Sequence, residues 1–292
     1  MPDIRVIVVP YELGRLRDGV GMGPERLLDH GATEALAAQG ANVETGVIEL
    51  DAPDDNEIDT SFAVISRIAE AVRSARESGA FPVVLSGSCL AAVGIVAGLG
   101  ESAPGVIWFD AHGDFNEPET SDSGYLDGMG VAILVGHAWQ GLAAQVPGAR
   151  AVPESAVVLA GARALDEPER PRLERSAINH LPPAALADPG ALVEAVASME
   201  PEPSGLYVHV DLDVLDAGVA RVNRYAAAGG ITADQLEASL RALLADERVR
   251  AVSLTAYEPD VDPEARVPPI AARLLGAVAE SRAAAAKRPT HG

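Results

Sequence analysis

Short apolar runs alternate along the chain with longer stretches in which apolar residues recur every three or four positions. The runs are 4–9 (IRVIVV), 82–86 (PVVLS), 105–109 (GVIWF), 156–160 (AVVLA), 206–210 (LYVHV) and 249–254 (VRAVSL), with 42–50 a weaker strand candidate. They are continuous rather than alternating, the pattern of strands buried on both faces. Ile58, Phe62, Ile65, Ala69 and Val72 mark one face of a helix over 57–78. Residues 23–39, 88–99, 188–199, 232–245 and 264–284 read as further helices. Thr232, three residues before Gln235, predicts a capping box. This alternation predicts an α/β fold, one mostly parallel sheet with helices on both faces. No repeat or linker divides the sequence, so residues 1–292 read as one domain. Residues 111–128 and the Ala- and Gly-rich 214–230 read as long functional loops, and 283–292 as a frayed tail.

Composition narrows the class. Hydrophobic residues make up 48% of the chain but aromatics only 4%, so the core must be built from Ala, Val, Leu and Ile. A formal net charge of −21 argues against nucleic acid as a partner. Cys89 is the single cysteine, so no internal disulfide can form, which fits a reducing, cytoplasmic setting. Residues 4–9 read as a first strand rather than a signal peptide, and no apolar run reaches the ~18 residues that span a bilayer.

The chemistry gathers at the ends of two apolar runs. Asp110-Ala111-His112-Gly113-Asp114 follows GVIWF directly, and Asp211-Leu212-Asp213 follows LYVHV. In extended chain, positions i, i+2 and i+4 project to one side, so each segment aims its ionisable groups together. In open parallel sheets, ligands bind beyond the carboxyl ends of strands. Four carboxylates and one imidazole collected there repel one another unless a cation neutralises them, and such a donor set suits a hard or borderline ion such as Mn²⁺. The plainer reading is that these aspartates cap helices or line turns.

DAHGDFNEPETSDSG resembles the D-A-H-x-D-x-N-x-P-x-T-x-x-S-G motif of the arginase (ureohydrolase) family, DLDVLD resembles its D-x-D-x-x-D motif, and LSGSCLAAVG stands where the family has L-G-G-D-H-S-L-A-x-G. The similarity spans roughly residues 15 to 280. It implies a three-layer α/β/α sandwich, two bridged Mn²⁺ ions that activate a water, attack on a guanidinium carbon, and trimers or hexamers. Carried over by position, Asp110 and Asp211 would bridge the metals, His112 and Asp213 would complete the inner site, and Asp114 would serve the outer one. Asn116 and Ser123 match residues that hold a substrate carboxylate, and Asp166 matches one that receives an α-amino group.

Four departures bear on function. Cys89 stands where the family has its outer-site histidine, with Ser88 in place of the acidic residue before it; a thiolate there would weaken the outer site or turn it toward zinc or iron, leaving one tightly bound Mn²⁺. Cys89 can equally be a small buried apolar residue. Asp127 replaces a histidine thought to shuttle protons; a buried carboxyl of raised pKa could do that work, or Asp127 simply faces water. Tyr225 replaces a pocket threonine. Ala256 replaces the glutamate that grips guanidinium, and Glu258, two positions on along an extended strand, is the substitute grip or else a solvated loop residue. Asp127 or Glu258 would handle protons or orient the leaving group. His209 reads as core, His30 and His137 as surface, and Arg221 and Arg224 as loop charge or contacts to an anionic group. The chain therefore reads as a metal-dependent hydrolase of C–N bonds in a small amino-acid-like substrate, partially similar to the branch that hydrolyses N-hydroxyarginine. The alternative is a non-catalytic relative that binds a metal or ligand.

Overall fold

In the computed structural model, which describes residues 3–51, 56–121 and 123–287, the strands in chain order are β1 (Asp3–Val9), β2 (Tyr11–Glu12), β3 (Arg15–Leu16), β4 (Asn42–Val47), β5 (Phe81–Ser86), β6 (Pro104–Phe109), β7 (Val157–Ala160), β8 (Asn179–Leu181), β9 (Gly205–Asp211) and β10 (Val249–Thr255). β2 and β3 form a small antiparallel hairpin. The other eight make one sheet in the order β4-β1-β5-β10-β9-β6-β7-β8, with every neighbouring pair parallel. The helices are α1 (Gly23–Asp29), α2 (Ala32–Ala37), α3 (Glu57–Glu77), α4 (Ala91–Leu99), α5 (Gly130–Leu134), α6 (Gln140–Ala143), α7 (Glu169–Arg175), α8 (Pro189–Ala197), α9 (Ala233–Leu244) and α10 (Val267–Ala286).

Both faces of the sheet are covered, which is why the strands read as unbroken apolar runs. Ile4, Val6 and Val8 of β1 enter the core shared with α1, α2, α8, α9 and α10, whereas Ile7 and Val9 enter the core shared with α3, α4 and α5. Each such side chain, fully buried, contributes about 1.5–3 kcal/mol. The capping box at α9 is present in both directions, Thr232 to the Gln235 amide and Gln235 back to the Thr232 amide. Among the described residues no helix is long and apolar enough to cross a membrane.

Several elements differ from the sequence expectation. The helix expected over 23–39 is two helices, broken at Gly31, whose φ of 91° no regular helix contains. β8 escapes the apolar pattern because it is a short edge strand that pairs with β7 alone. Residues 88–90 belong to the turn after β5 rather than to α4. The tail expected to fray from 283 is helical to Ala286. Upstream, Ser281 donates to the Leu244 carbonyl at 2.8 Å and the Arg282 guanidinium lies 4.6 Å from the Phe81 ring centre, anchoring the last turns. Residues 288–292, His291 among them, lie outside the described residues.

α3 and α4 approach closely because α4 turns glycines toward its partner. A Cβ on Gly94 would lie 2.4 Å from the Ile65 carbonyl oxygen, and one on Gly98 would lie 2.5 Å from that of Ala69. Both contacts are with backbone, so the helices must move apart to admit a methyl group. Gly94→Ala is expected to lower stability by about 1–3 kcal/mol despite the better helix propensity of alanine, read as a fall in the urea midpoint with an unchanged slope.

Candidate metal centre

The sheet order sets β10 and β9 between β5 and β6, and the four strands end in register. Ser86 pairs with Thr255, Thr255 with Asp211, and Phe109 with Val210, so Asp110 emerges beside Asp211. The segments after these strand ends meet over one cleft of about 300 Å³, lined by Cys89, His112, Asp114, Asn116, Asp127, Asp211, Asp213, Asn223 and Tyr225 among others.

His112 sits at the centre of the charge. Its Nδ1 lies 3.2 Å from Asp110 Oδ1 and 3.3 Å from Asp213 Oδ2, and the donor atoms of these three residues all lie within 4.8 Å of one another. Backbone and side-chain donors fix the carboxylates. Asp110 accepts from the His112 amide at 2.7 Å and from Trp108 Nε1 at 2.9 Å. Asp213 accepts from the Ala111 amide at 3.1 Å and from Asn223 Nδ2 at 3.0 Å. Asp211 accepts from the Asp213 amide at 2.8 Å and from the Cys89 thiol at 3.0 Å. Asp114, buried at φ 48°, occupies a left-handed conformation unfavourable for a residue with a side chain, and its carbonyl is held by the amides of Val131 and Ala132.

This assembly is electrostatically costly as it stands. Burial first, then neighbouring carboxylates, raise the pKa values of Asp110, Asp114 and Asp211 above the usual range. Burial also works against the charged form of His112, but the hydrogen bonds to Asp110 and Asp213 outweigh it and push the imidazole up to about 12. For Asp213 burial is overcome by His112, Asn223 and the Ala111 amide, which hold it below the usual carboxylate range. The Asp110 and Asp213 carboxylates thus favour the charged form of this imidazole. A divalent cation with oxygen donors and one imidazole fits this donor set.

The four departures fall around the centre. Cys89 is buried, its pKa raised by burial and then by Asp211, and its sulfur also lies 3.3 Å from Thr255 Oγ1. Beneath it His209 is fully buried, stacked on Trp108 with ring centres 3.8 Å apart and bonded at Nδ1 to Tyr207 at 2.9 Å; burial lowers its pKa to about 3. Cys89, Asp110 and His209 form a second group whose donor atoms lie within 4.8 Å. Asp127 lines the cleft and accepts from Ser88 Oγ at 2.5 Å and the Leu90 amide at 3.1 Å; burial outweighs these bonds and pushes its carboxyl up to about 7. Tyr225 also lines the cleft, and Ala256 lies on its floor at φ 63°. Glu258, by contrast, is absent from the lining. The left-handed turn at Ala256 ends the extended chain on which the substitute grip depends, and Glu258 is a buried ion-pair partner, accepting from the Arg224 amide and Nε, both at 3.1 Å. Arg224 is thereby committed to Glu258. Also lining the cleft, Asn116 Nδ2 donates to Asp166 Oδ2 at 2.9 Å, and exposed Ser123 accepts from the Tyr125 amide at 3.1 Å.

Three supports went unnoticed in the sequence. Asn223 bridges Asp213 and the Ala256 carbonyl, the latter at 3.1 Å. Glu169, buried, accepts from the amides of Phe115 at 2.8 Å and Asp166 at 3.2 Å, tying two loops together. Arg163 donates to the carbonyls of Gly161, Asp213, Val214, Leu215, Ala227 and Ala228, pinning the loop over 214–230. None carries a local pattern, because each acts on a segment distant in sequence.

This fold and site define the arginase family, and the chain belongs to it: the family model matches residues 2–280. An arginase from Bacillus caldovelox is 30% identical over 295 residues, covering 95% of this chain and 98% of that one. An N(omega)-hydroxy-L-arginine amidinohydrolase from Streptomyces lavendulae is 36% identical over 184 residues, covering 63% of this chain and 62% of its own. The crystal structure of arginase from Bacillus subtilis superposes with a TM-score of 0.85 at 29% identity, covering 94% and 98% of the two chains.

A cation at this centre relieves repulsion present only in the folded protein. Mn²⁺ added to chelator-treated protein is therefore expected to raise the melting temperature, by the equivalent of about 2.7 kcal/mol at a hundredfold excess over Kd. Asp213→Asn should remove most of the rise. A melting temperature indifferent to Mn²⁺ in the parent protein would contradict the assignment.

Proposed function

We propose that the protein is a metal-dependent hydrolase that cleaves a C–N bond in a small amino-acid-like compound bearing a guanidino, hydroxyguanidino, amidino or amide group. The observation that carries this reading is the convergence of Asp110, His112 and Asp213 at one edge of the sheet of an arginase-family chain. Mn²⁺ is the ion that best suits the oxygen-rich donors, with Asp110, His112, Asp211 and Asp213 as ligands and Asp114 in support. Bound there, such an ion lowers the pKa of water and polarises a planar carbon. The chain's own residues do the rest. Asn116, Ser123 and Asp166 orient the amino-acid end of the substrate. Asp127 holds or releases a proton near neutrality at the cleft wall, a property that burial confers on it.

L-Arginine and agmatine are expected to be poor substrates. Ala256 supplies no carboxylate to the guanidinium, and Glu258 is engaged by Arg224. A charge-assisted pair lost from a buried site costs roughly 1.5–3 kcal/mol, about ten- to a hundredfold in kcat/KM. Release of urea, hydroxyurea and ammonia from a panel of guanidines, hydroxyguanidines, amidines and amides tests this; urea from L-arginine at the rate of an ordinary arginase would count against it.

The Cys89 side of the centre lacks the imidazole that the family pattern provides. One Mn²⁺ per chain is expected to survive dialysis, at the His112 side, and Cys89→His is expected to retain a second, since even losing a partner outside the ligand set costs about 10–100-fold in affinity. Elemental analysis of both proteins decides this, and two fully occupied ions in the natural protein would refute it.

A further inference from the structure

The chain has only 4 Phe, 5 Tyr and 2 Trp in 292 residues, yet two of the tyrosines line the same cleft. Tyr125 and Tyr225 touch, with ring centres 5.5 Å apart at 41°, and together form one continuous aromatic wall. Tyr225 is 45% exposed, the one aromatic among the exposed large hydrophobics of the described residues.

The Tyr125 ring is held through its hydroxyl, and Tyr225 is held through its backbone and against Tyr125. The Tyr125 hydroxyl donates to Glu12 Oε1 at 3.0 Å, and Glu12 is itself buried and faces Arg15 at 3.4 Å. The Tyr225 amide donates to Asn223 Oδ1 at 2.9 Å, and Asn223 is tied to Asp213 and to the Ala256 carbonyl. The preceding residue, Arg224, is fixed and neutralised by Glu258. An exposed ring backed by a half-buried, anchored one presents its face at low ordering cost.

The rest of the lining sets the charge of what lies against that wall. Asp114, Asp127, Asp166, Glu169, Asp211 and Asp213 all border the cleft, while the floor at Ala256 offers only a methyl group. A cation is attracted by the acidic lining and by the negative face of an aromatic ring, but it finds no carboxylate at Ala256 to fix a compact guanidinium by paired hydrogen bonds. The group that gains most is a flat, delocalised cation with an apolar face of its own.

Resting on the hydrolase reading of this cleft, we infer that Tyr125 and Tyr225 select the substrate, replacing a carboxylate grip with an aromatic wall that favours guanidinium- or amidinium-type compounds carrying a flat, unsaturated or aromatic nitrogen substituent. Tyr225 is the specificity-determining residue and Tyr125 its backing.

Titration calorimetry with guanidinium and phenylguanidinium chlorides on the full-length Mn²⁺-loaded protein tests the inference. Phenylguanidinium is expected to bind at least about tenfold more tightly, the size of a cation–π contact with added ring stacking. Tyr225→Phe, which keeps the π face, should preserve that ratio, and Tyr225→Ala should reduce it to about threefold or less. Because Tyr225 is exposed, an unchanged melting temperature identifies each variant as folded. Equal affinities in the parent protein, or a ratio that Tyr225→Ala leaves intact, would overturn the wall. Failure of the hydrolase reading looks different: the binding ratio and its loss in Tyr225→Ala would stand, while the substrate panel released no product.

Discussion

The structure turns on the repulsion among carboxylates that the sheet brings to one edge. Asp110, Asp114, Asp211 and Asp213 are all buried, and Asp127 lines the same cleft. Two unit charges 4 Å apart interact by about 4 kcal/mol at the effective dielectric of a protein surface, and burial adds to that. Asp110, Asp127, Asp211 and Asp213 are therefore met by donors fixed in advance: the amides of Ala111, His112, Asp213 and Leu90, the indole of Trp108, the amide of Asn223 and the hydroxyl of Ser88. These bonds hold the oxygens in place without neutralising them, and only His112 offers charge. A site so arranged is complementary to a cation.

The loops around the centre follow from the same requirement. A strand end alone cannot hold four aspartates in register, so distant residues brace the segments that carry them. Glu169 fixes the turn after Asp114, and a Cβ on Gly113 would strike its carboxylate at 2.4 Å, so the two must pack as they do. Arg163 plays the corresponding part for the loop after Asp213, bonding the carbonyls of Asp213, Val214 and Leu215 at once. Asn223 then links that loop to the end of β10. The geometry of the centre thus depends on long-range contacts, and its chemistry on short motifs.

This division explains what could be read from the sequence. The strands that carry the site, the helix over 57–78 and the capping box at Thr232 are local patterns, and the aspartates at the ends of β6 and β9 stand out because they end apolar runs. The direction of Glu258 was not legible, since its projection assumed extended chain through Ala256, and the φ of 63° at that residue reverses the alternation. The bracing roles of Arg163, Glu169 and Asn223 were illegible for a different reason: a single arginine or glutamate in a loop has no periodicity, and its partners are carbonyls and amides that carry no residue signature. Gly31 could have been read as a break, because a glycine between two short helical patterns is a common terminator.

The departures from the family pattern are coherent when the charges are counted together. The pattern has an acidic residue at position 88 and a histidine at position 127, whereas this chain has Ser88 and Asp127, hydrogen-bonded to each other at 2.5 Å. A carboxylate is thus kept directly beside position 88, and what is lost is imidazole, at 127 and again at Cys89. A site that keeps its carboxylates while losing two nitrogen donors retains its attraction for a hard cation on the His112 side. Relative to the family pattern it lacks the imidazoles at both positions, which on the proposed reading means a weakened second ion site and a replaced acid–base group. Under the proposed function, Asp127 would take over the acid–base work, burial having pushed its carboxyl up to about 7, near where a histidine titrates. Outside the cleft lining, Glu258 is held in an ion pair by Arg224, the residue that leads into Tyr225. On the inferred role of the aromatic wall, the ion pair that holds the Glu258 carboxylate away from the cleft also fixes the backbone leading into Tyr225, so both would bear on substrate choice together.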